Sequence, residues 1–79
     1  ALKVDEGNFS ARYRLGMAYD NLKEHQKAVE AFQKALEAKP DAANVWQSMG
    51  FAYEQLGSHD DAVRCFKKSL ELEEIKRKG

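Results

Sequence analysis

The chain has 79 residues, of which 13 are Lys or Arg and 13 are Asp or Glu, so its formal net charge is zero. This length fits one small domain, and the balanced charge argues against a nucleic-acid or membrane-surface binder, which needs a basic excess. The single cysteine excludes an internal disulfide framework and a cysteine-rich metal site, and no apolar run reaches the ~18 residues of a membrane span.

The composition favours a small soluble helical protein. Hydrophobic residues make up 43% and charged residues 33%, which is too apolar for a disordered tail, and one proline with five glycines leaves little room for a turn-rich β fold. No charged and then apolar leader opens the sequence, so no signal peptide is expected. The absent leader and the single cysteine favour a reducing, cytoplasmic compartment, which is otherwise left open.

The strongest feature is a repeat with a period of 34 residues. Several positions of the first half carry the same residue again 34 positions later. The identical pairs are Gly16 and Gly50, Ala18 and Ala52, Tyr19 and Tyr53, Leu22 and Leu56, His25 and His59, Ala28 and Ala62, Val29 and Val63, Phe32 and Phe66, Lys34 and Lys68, Leu36 and Leu70, and Glu37 and Glu71. A fixed period of this length indicates units that stack to share a continuous core.

The first unit predicts an antiparallel pair of helices. Asn8 can cap a first helix over residues 9–22, and a second helix follows after a short loop. The apolar positions of both helices recur at i, i+3, i+4 and i+7, as a core-facing side requires. The expected core positions are Leu15, Ala18, Tyr19 and Leu22 in the first helix and Ala28, Phe32, Ala35 and Leu36 in the second.

The second unit predicts a similar pair with a longer last helix. Asp41, after Pro40, can cap a helix over residues 42–56, which Gly57 ends. Glu74 stands 34 residues after Pro40, so the last helix lacks a proline stop and is expected to continue toward Lys78. The basic side chains of residues 76–78 would then complement the helix dipole.

Both units resemble the tetratricopeptide repeat, whose signature is W-x2-L-G-x2-Y, then A-x3-F, then P. The matching residues are Leu15, Gly16, Tyr19, Ala28, Phe32 and Pro40 in the first unit, and Trp46, Met49, Gly50, Tyr53, Ala62 and Phe66 in the second. Arg12 and Glu74 depart from the pattern at the Trp and Pro positions. The resemblance implies an all-α fold, a fragment of a right-handed solenoid of antiparallel helix pairs.

The resemblance also implies the organisation of the chain. We expect residues 1–8 to be the end of a preceding repeat's second helix, because Ala1-Leu2 aligns with Ala35-Leu36 at the same period. Residues 9–42 and 43–76 are the two full units, and residues 77–79 are the end of the extended last helix. The chain is thus expected to be a fragment of a longer array.

Members of this family bind other proteins, so the resemblance implies a non-catalytic interaction module of a scaffold or adaptor protein. Its first helices would line a concave groove for a partner peptide or helix. The groove candidates are Ser10, Tyr13, Met17, Asp20, Asn21, Asn44, Gln47, Phe51, Glu54 and Gln55. Tyr13, Met17 and Phe51 are large apolar residues outside the core register, which indicates either a contact patch or exposed packing.

These candidates disfavour one known type of ligand. Chaperone-binding family members clamp a terminal carboxylate with Lys, Arg and Asn on the inner helices, whereas Asp20 and Glu54 would repel one here. We expect a ligand with apolar side chains and a Lys or Arg. No cofactor, metal, nucleic acid or membrane is expected as a partner.

The two histidines could indicate a metal site and the cysteine a reactive thiol, but a structural role explains all three more simply. His25 and His59 occupy one repeated position, and the further ligands of a metal site are missing. Cys65 replaces Ala31 on a second helix and is expected to be inert, although Arg64 and two lysines nearby leave a reactive thiol open.

A second functional hypothesis is self-assembly. Repeat arrays need about three units and polar caps for comfortable stability, and this chain has two units without a capping helix. Leu70, Leu72 and Ile75 would then expose apolar edges through which copies associate.

Overall fold

In the computed structural model the chain forms four helices, with the backbone described for residues 4–78 and the side chains for residues 9–75. They are α1 (Val4–Asn21), α2 (His25–Ala38), α3 (Ala43–Gln55) and α4 (His59–Lys78). Each helix packs against the next one along the chain, and α1 also touches α3. The short connections make consecutive helices antiparallel, so the predicted all-α architecture of stacked helix pairs is confirmed.

The start of α1 differs from the prediction. The helix begins at Val4, and residues 4–8 continue it without a break, so the cap expected at Asn8 is wrong. Glu6 lies 34 residues before Pro40, and without a proline at this position nothing stops the helix. Residues 4–8 therefore form the first turn of α1 rather than the end of a separate helix, and residues 1–3 lie outside the described residues.

The other helix ends agree with the predictions to within two residues. Ala42, not Asp41, precedes α3 as its N-cap, in an extended conformation without a side-chain capping bond. The indole Nε1 of Trp46 donates a hydrogen bond of 2.9 Å to the carbonyl oxygen of Pro40, which ties this turn to α3. The last helix runs to Lys78 as predicted, and the side chains of residues 76–78 lie outside the described ones.

The core depends on close contact between the two helices of each pair. A Cβ atom added to Gly16 would lie 2.5 Å from Cε1 of Phe32, and one added to Gly50 would lie 2.7 Å from Cε1 of Phe66. The glycines therefore leave the space that the second-helix phenylalanines fill. Other buried residues extend this core through α2 and α3: Ala28, Val29, Ala35, Leu36, Val45, Met49 and Ala52.

The predicted core face of α1 is largely wrong. Leu15, Ala18 and Leu22 are exposed. Met49 and Ala52, the α3 equivalents of the first two, are buried, whereas Leu56, the equivalent of Leu22, is exposed as well. The difference arises because α2 covers this face of α3, while no helix of the described chain covers the same face of α1.

Each pair turns through the same hydrogen-bonded motif, although the residue at its centre differs. Gly57 has a positive φ of 82°, and Ser58 N–H donates to the carbonyl of Tyr53 at 2.9 Å. Lys23 takes the equivalent position with φ of 67°, and Glu24 N–H donates to the carbonyl of Tyr19 at 2.8 Å. Because only glycine adopts this left-handed conformation without a Cβ penalty, Lys23 stores strain that Gly57 does not.

We therefore expect Lys23→Gly to stabilise the domain by about 0.5–1 kcal/mol, because it relieves a left-handed Cβ conflict. Urea unfolding followed by circular dichroism measures this change. Lys23→Ala is the matched control, since it removes the same side chain but keeps the Cβ atom. If the glycine and alanine variants were equally stable, the positive φ at position 23 would carry no cost in free energy of unfolding.

Gly16→Ala should destabilise the domain by about 1–3 kcal/mol, because the new methyl group overlaps the Phe32 ring. The same change in the background Phe32→Leu should cost clearly less, since the clashing ring atoms are gone. Denaturant unfolding of the four proteins forms a double-mutant cycle. If the two substitutions destabilised the domain additively, the Phe32 ring would not be the reason that position 16 requires glycine.

Candidate functional site

The ten groove candidates lie on two adjacent helices. Ser10, Tyr13, Met17, Asp20 and Asn21 belong to α1, and Asn44, Gln47, Phe51, Glu54 and Gln55 belong to α3. In α3 the buried residues Val45, Met49 and Ala52 face α2, and Gly50 faces α4 through Phe66. The candidates therefore occupy the remaining side of each first helix, and we call the surface they share the inner surface.

Two exposed apolar side chains mark equivalent points of the inner surface. Met17 is 41% exposed and Phe51 is 53% exposed, and they are separated by one period of 34 residues. The Phe51 ring meets the Phe66 ring edge-on, with centroids 5.2 Å apart and an interplanar angle of 70°. This contact orients Phe51 while leaving about half of it free to bind a ligand.

Two other candidates are half-buried instead of freely exposed. The Tyr13 ring lies 5.9 Å from the Phe32 ring and stacks on Phe9 at 6.3 Å, so Tyr13 closes the edge of the core. Asp20 Oδ1 lies 2.6 Å from Nδ1 of His25, which follows it across the turn into α2. The remaining eight candidates are exposed.

The acidic groups of the inner surface each have a histidine nearby. Glu54 Oε2 and His59 Nδ1 are 3.8 Å apart, at the positions equivalent to Asp20 and His25. Each histidine thus stands beside a first-helix carboxylate at the start of a second helix. Within the described part of the chain, no group of three or more His, Cys, Asp or Glu residues is arranged to hold a metal ion.

Sequence reasoning missed one charged residue of the inner surface. Arg14 is exposed and lies four residues after Ser10 and three before Met17, which places all three on one face of α1. The helical spacing from Met17 would have identified it. Its guanidinium adds a cation to the inner surface, so the surface carries both signs of charge.

A second concave feature lies on the opposite side of α3. It is a cleft of about 390 Å³ between α2, α3 and α4, lined in part by Gln33, Trp46, Tyr53 and Arg64. Gln33 Nε2 donates a 3.4 Å hydrogen bond to the Tyr53 hydroxyl at its wall. Trp46 and Tyr53 belong to the repeat signature, but that pattern does not predict the cleft between them.

Cys65 lines this cleft but is itself buried. Burial, and then the charge of Asp61, raise the pKa of the Cys65 thiol to about 11, against a smaller opposing effect of Arg64. Burial also raises the pKa of the Tyr53 hydroxyl, with the charges of Cys65 and Asp61 adding to it. The thiol is therefore protonated at neutral pH and lacks the thiolate that nucleophilic chemistry needs.

Comparison with known proteins agrees with the repeat and the fold. The family model described as "Tetratricopeptide repeat" matches residues 9–42 and 43–74. The chain is similar to a crystal structure of MamA, with 48% identity and a TM-score of 0.87 over 90% of this chain and 42% of that one. A second MamA structure, labelled MSR-1, has 39% identity and a TM-score of 0.86 over 94% of this chain and 42% of that one.

The chain spans less than half the length of the MamA chains it matches, and no curated protein matches it significantly. Among the described helices, none is long and apolar enough to cross a membrane.

Folding raises the pKa of the Cys65 thiol, so the folded chain keeps this proton at pH values where the unfolded chain has released it. The stability of the domain should therefore fall as the pH rises from about 9 through about 11. Cys65→Ala, which copies Ala31 at the equivalent position, removes this contribution. Urea unfolding at pH 8 and pH 10.5 should show a larger loss for the wild type than for the variant. Tyr53 titrates in both proteins, so an equal loss would mean that Cys65 is not the group responsible.

Proposed function

Because the chain belongs to the tetratricopeptide repeat family, we propose that it is a protein-interaction module that holds a segment of a partner protein on the inner surface. The observation that supports this most is the pair Met17 and Phe51, two large apolar side chains exposed at equivalent points of adjacent first helices. Exposed apolar side chains with a polar rim are typical of binding sites. The proposal assigns no catalytic step to this chain.

The spacing of the two anchors restricts the shape of the ligand. Directly packed helices lie about 8–10 Å apart, and α1 touches α3 far less than it packs on α2, so we expect the two apolar contacts of Met17 and Phe51 to be separated by at least that distance. A polyproline II segment brings residues i and i+3 to one side at about 9 Å, and a helix brings i and i+7 to about 10.5 Å. A suitable segment therefore carries apolar residues at one of these spacings or wider.

The charges of the inner surface restrict its chemistry. Asp20 and Glu54 favour a Lys or Arg in the ligand, which would compete with His25 and His59 for the carboxylates. Arg14 offers a pairing site for one acidic ligand residue. We therefore propose an internal segment with apolar anchors and at least one basic residue, and not a terminal carboxylate gripped by several cations.

The test uses peptides selected from a random display library against the wild-type chain, with dissociation constants measured by fluorescence anisotropy. Met17→Ala with Phe51→Ala should weaken their binding at least 10-fold, because both apolar anchors are lost. Gln33→Ala with Arg64→Ala is the matched control, since both residues line the cleft on the other side of α3. This control should change affinity less than 2-fold.

Tyr13 is left intact in this test because its ring packs on Phe32, and its removal would disturb the core. Circular dichroism checks that each variant remains folded. Binding that survives the loss of both anchors but fails in the control variant would move the site to the opposite cleft. Strong binding of peptides that need only a free acidic terminus would contradict the proposed ligand chemistry.

A further inference from the structure

The cleft of about 390 Å³ behind α3 is complete within this chain, because α2, α3 and α4 supply its walls and its floor. Among the described helices α2 and α4 do not pack on each other, so they stand as two walls above α3. The floor includes the buried Met49 and the half-buried Trp46 and Tyr53. A concave, mainly apolar surface with a few polar groups is typical of ligand sites.

Both aromatic side chains of the floor are held by hydrogen bonds. The indole Nε1 of Trp46 donates to the Pro40 carbonyl oxygen at 2.9 Å, and Gln33 Nε2 donates to the Tyr53 hydroxyl at 3.4 Å. Each bond engages the polar edge of a ring rather than its face. Aromatic faces carry the negative side of the ring quadrupole, which attracts a cation. The floor is therefore a fixed surface that favours positive charge.

The first unit shows that a cation fits over this tyrosine position. Lys27 Nζ lies 5.8 Å from the centroid of the Tyr19 ring, and Tyr19 is equivalent to Tyr53. In the second unit Asp61 takes the position of Lys27, so a carboxylate replaces the cation. Among the described side chains, no Lys or Arg lies over the Tyr53 ring in the same way. The second unit therefore keeps the ring and adds a negative charge beside it.

The charges that line the cleft are negative in sum. Glu37 and Asp61 contribute two carboxylates, against one guanidinium from Arg64. Burial raises the pKa of the Cys65 thiol, and the charge of Asp61 raises it further, by more than Arg64 lowers it. Burial, and then the charges of Cys65 and Asp61, raise the pKa of the Tyr53 hydroxyl too. The potential inside the cleft therefore repels an anion and attracts a cation.

We propose that this cleft binds an arginine side chain that projects from a partner protein, with its guanidinium over the Tyr53 ring and paired with Asp61. Arginine suits the site better than lysine, because a planar guanidinium both stacks on aromatic faces and pairs with carboxylates through two bonds. Glu37 offers a second acceptor from α2, and Met49 lies below the apolar stem of the ligand. The cleft lies across α3 from the inner surface, so this inference does not depend on the segment proposed to bind there.

Trp46 is the single tryptophan of the chain, so its fluorescence reports on the cleft. The probe is the blocked peptide acetyl-Gly-Arg-Gly-amide, and the control is its citrulline counterpart, which has the same shape without the charge. The arginine peptide should change the fluorescence saturably at millimolar concentration or below, and the citrulline peptide should bind at least about 10-fold more weakly. A response without saturation, or equal binding of the two peptides, would overturn the proposal.

Copying the charges of the first unit tests the position of the cation. Asp61→Lys reproduces Lys27 and places a cation of the chain itself over Tyr53, so it should weaken binding of the arginine peptide at least about 10-fold. Arg64→Glu reproduces Glu30, removes the repelling charge and should tighten binding roughly 3-fold. Unchanged affinity in Asp61→Lys, or weaker binding in Arg64→Glu, as an acidic occupant requires, would contradict the proposed site.

Glu37→Gln keeps the test valid if Asp61→Lys does not fold, since Glu37 is exposed on α2. It should weaken the arginine peptide roughly 3-fold, and an unchanged affinity would argue against the site. Circular dichroism checks the folding of each variant. Spermidine that bound more tightly than the peptide would identify a free polyamine, and not a partner's arginine, as the occupant.

Met17→Ala with Phe51→Ala is the control on the inner surface and should leave the affinity for the arginine peptide within about 2-fold of the wild type. A large loss in this variant would place the arginine on the inner surface and overturn the second site. Failure of the arginine peptide while library-selected peptides still bind would leave the proposed function of the inner surface intact.

Discussion

Most of this molecule depends on one contact, the insertion of a second-helix phenylalanine into the space left by a first-helix glycine. The Phe32 and Phe66 rings occupy the places where Gly16 and Gly50 would otherwise carry a Cβ atom. This brings the two helices of each pair close together and sets their relative position. Because the contact recurs after 34 residues, both pairs have the same shape and the second can stack on the first.

Stacking of identical shapes explains where the functional surfaces lie. The side of each first helix that faces neither its partner nor the neighbouring pair remains open, which aligns Met17 with Phe51 on the inner surface. One repeated contact thus positions the proposed peptide site.

The two units are equal in shape but not in local chemistry. Lys23 accepts the left-handed conformation that Gly57 adopts freely, and Cys65 replaces Ala31 with a buried, protonated thiol. Tyr13 covers Phe32 in the first pair, whereas Phe51 covers Phe66 in the second, one turn further along its helix. The architecture tolerates these exchanges because the glycine–phenylalanine contact beside them is unchanged.

The sequence by itself determined the period, the four helices, the core face of α2 and the continuation of α4 past Glu74. Each of these follows from local spacing, from a glycine or from a missing proline, and so needs no knowledge of neighbours. The tertiary structure decided that α1 begins at Val4, that Leu15 and Leu22 are exposed, and that Tyr13 is half-buried. It also revealed Arg14 on the inner surface and the cleft behind α3. An apolar stripe shows which side of a helix could be buried, but only the helix packed against it decides whether that side is buried.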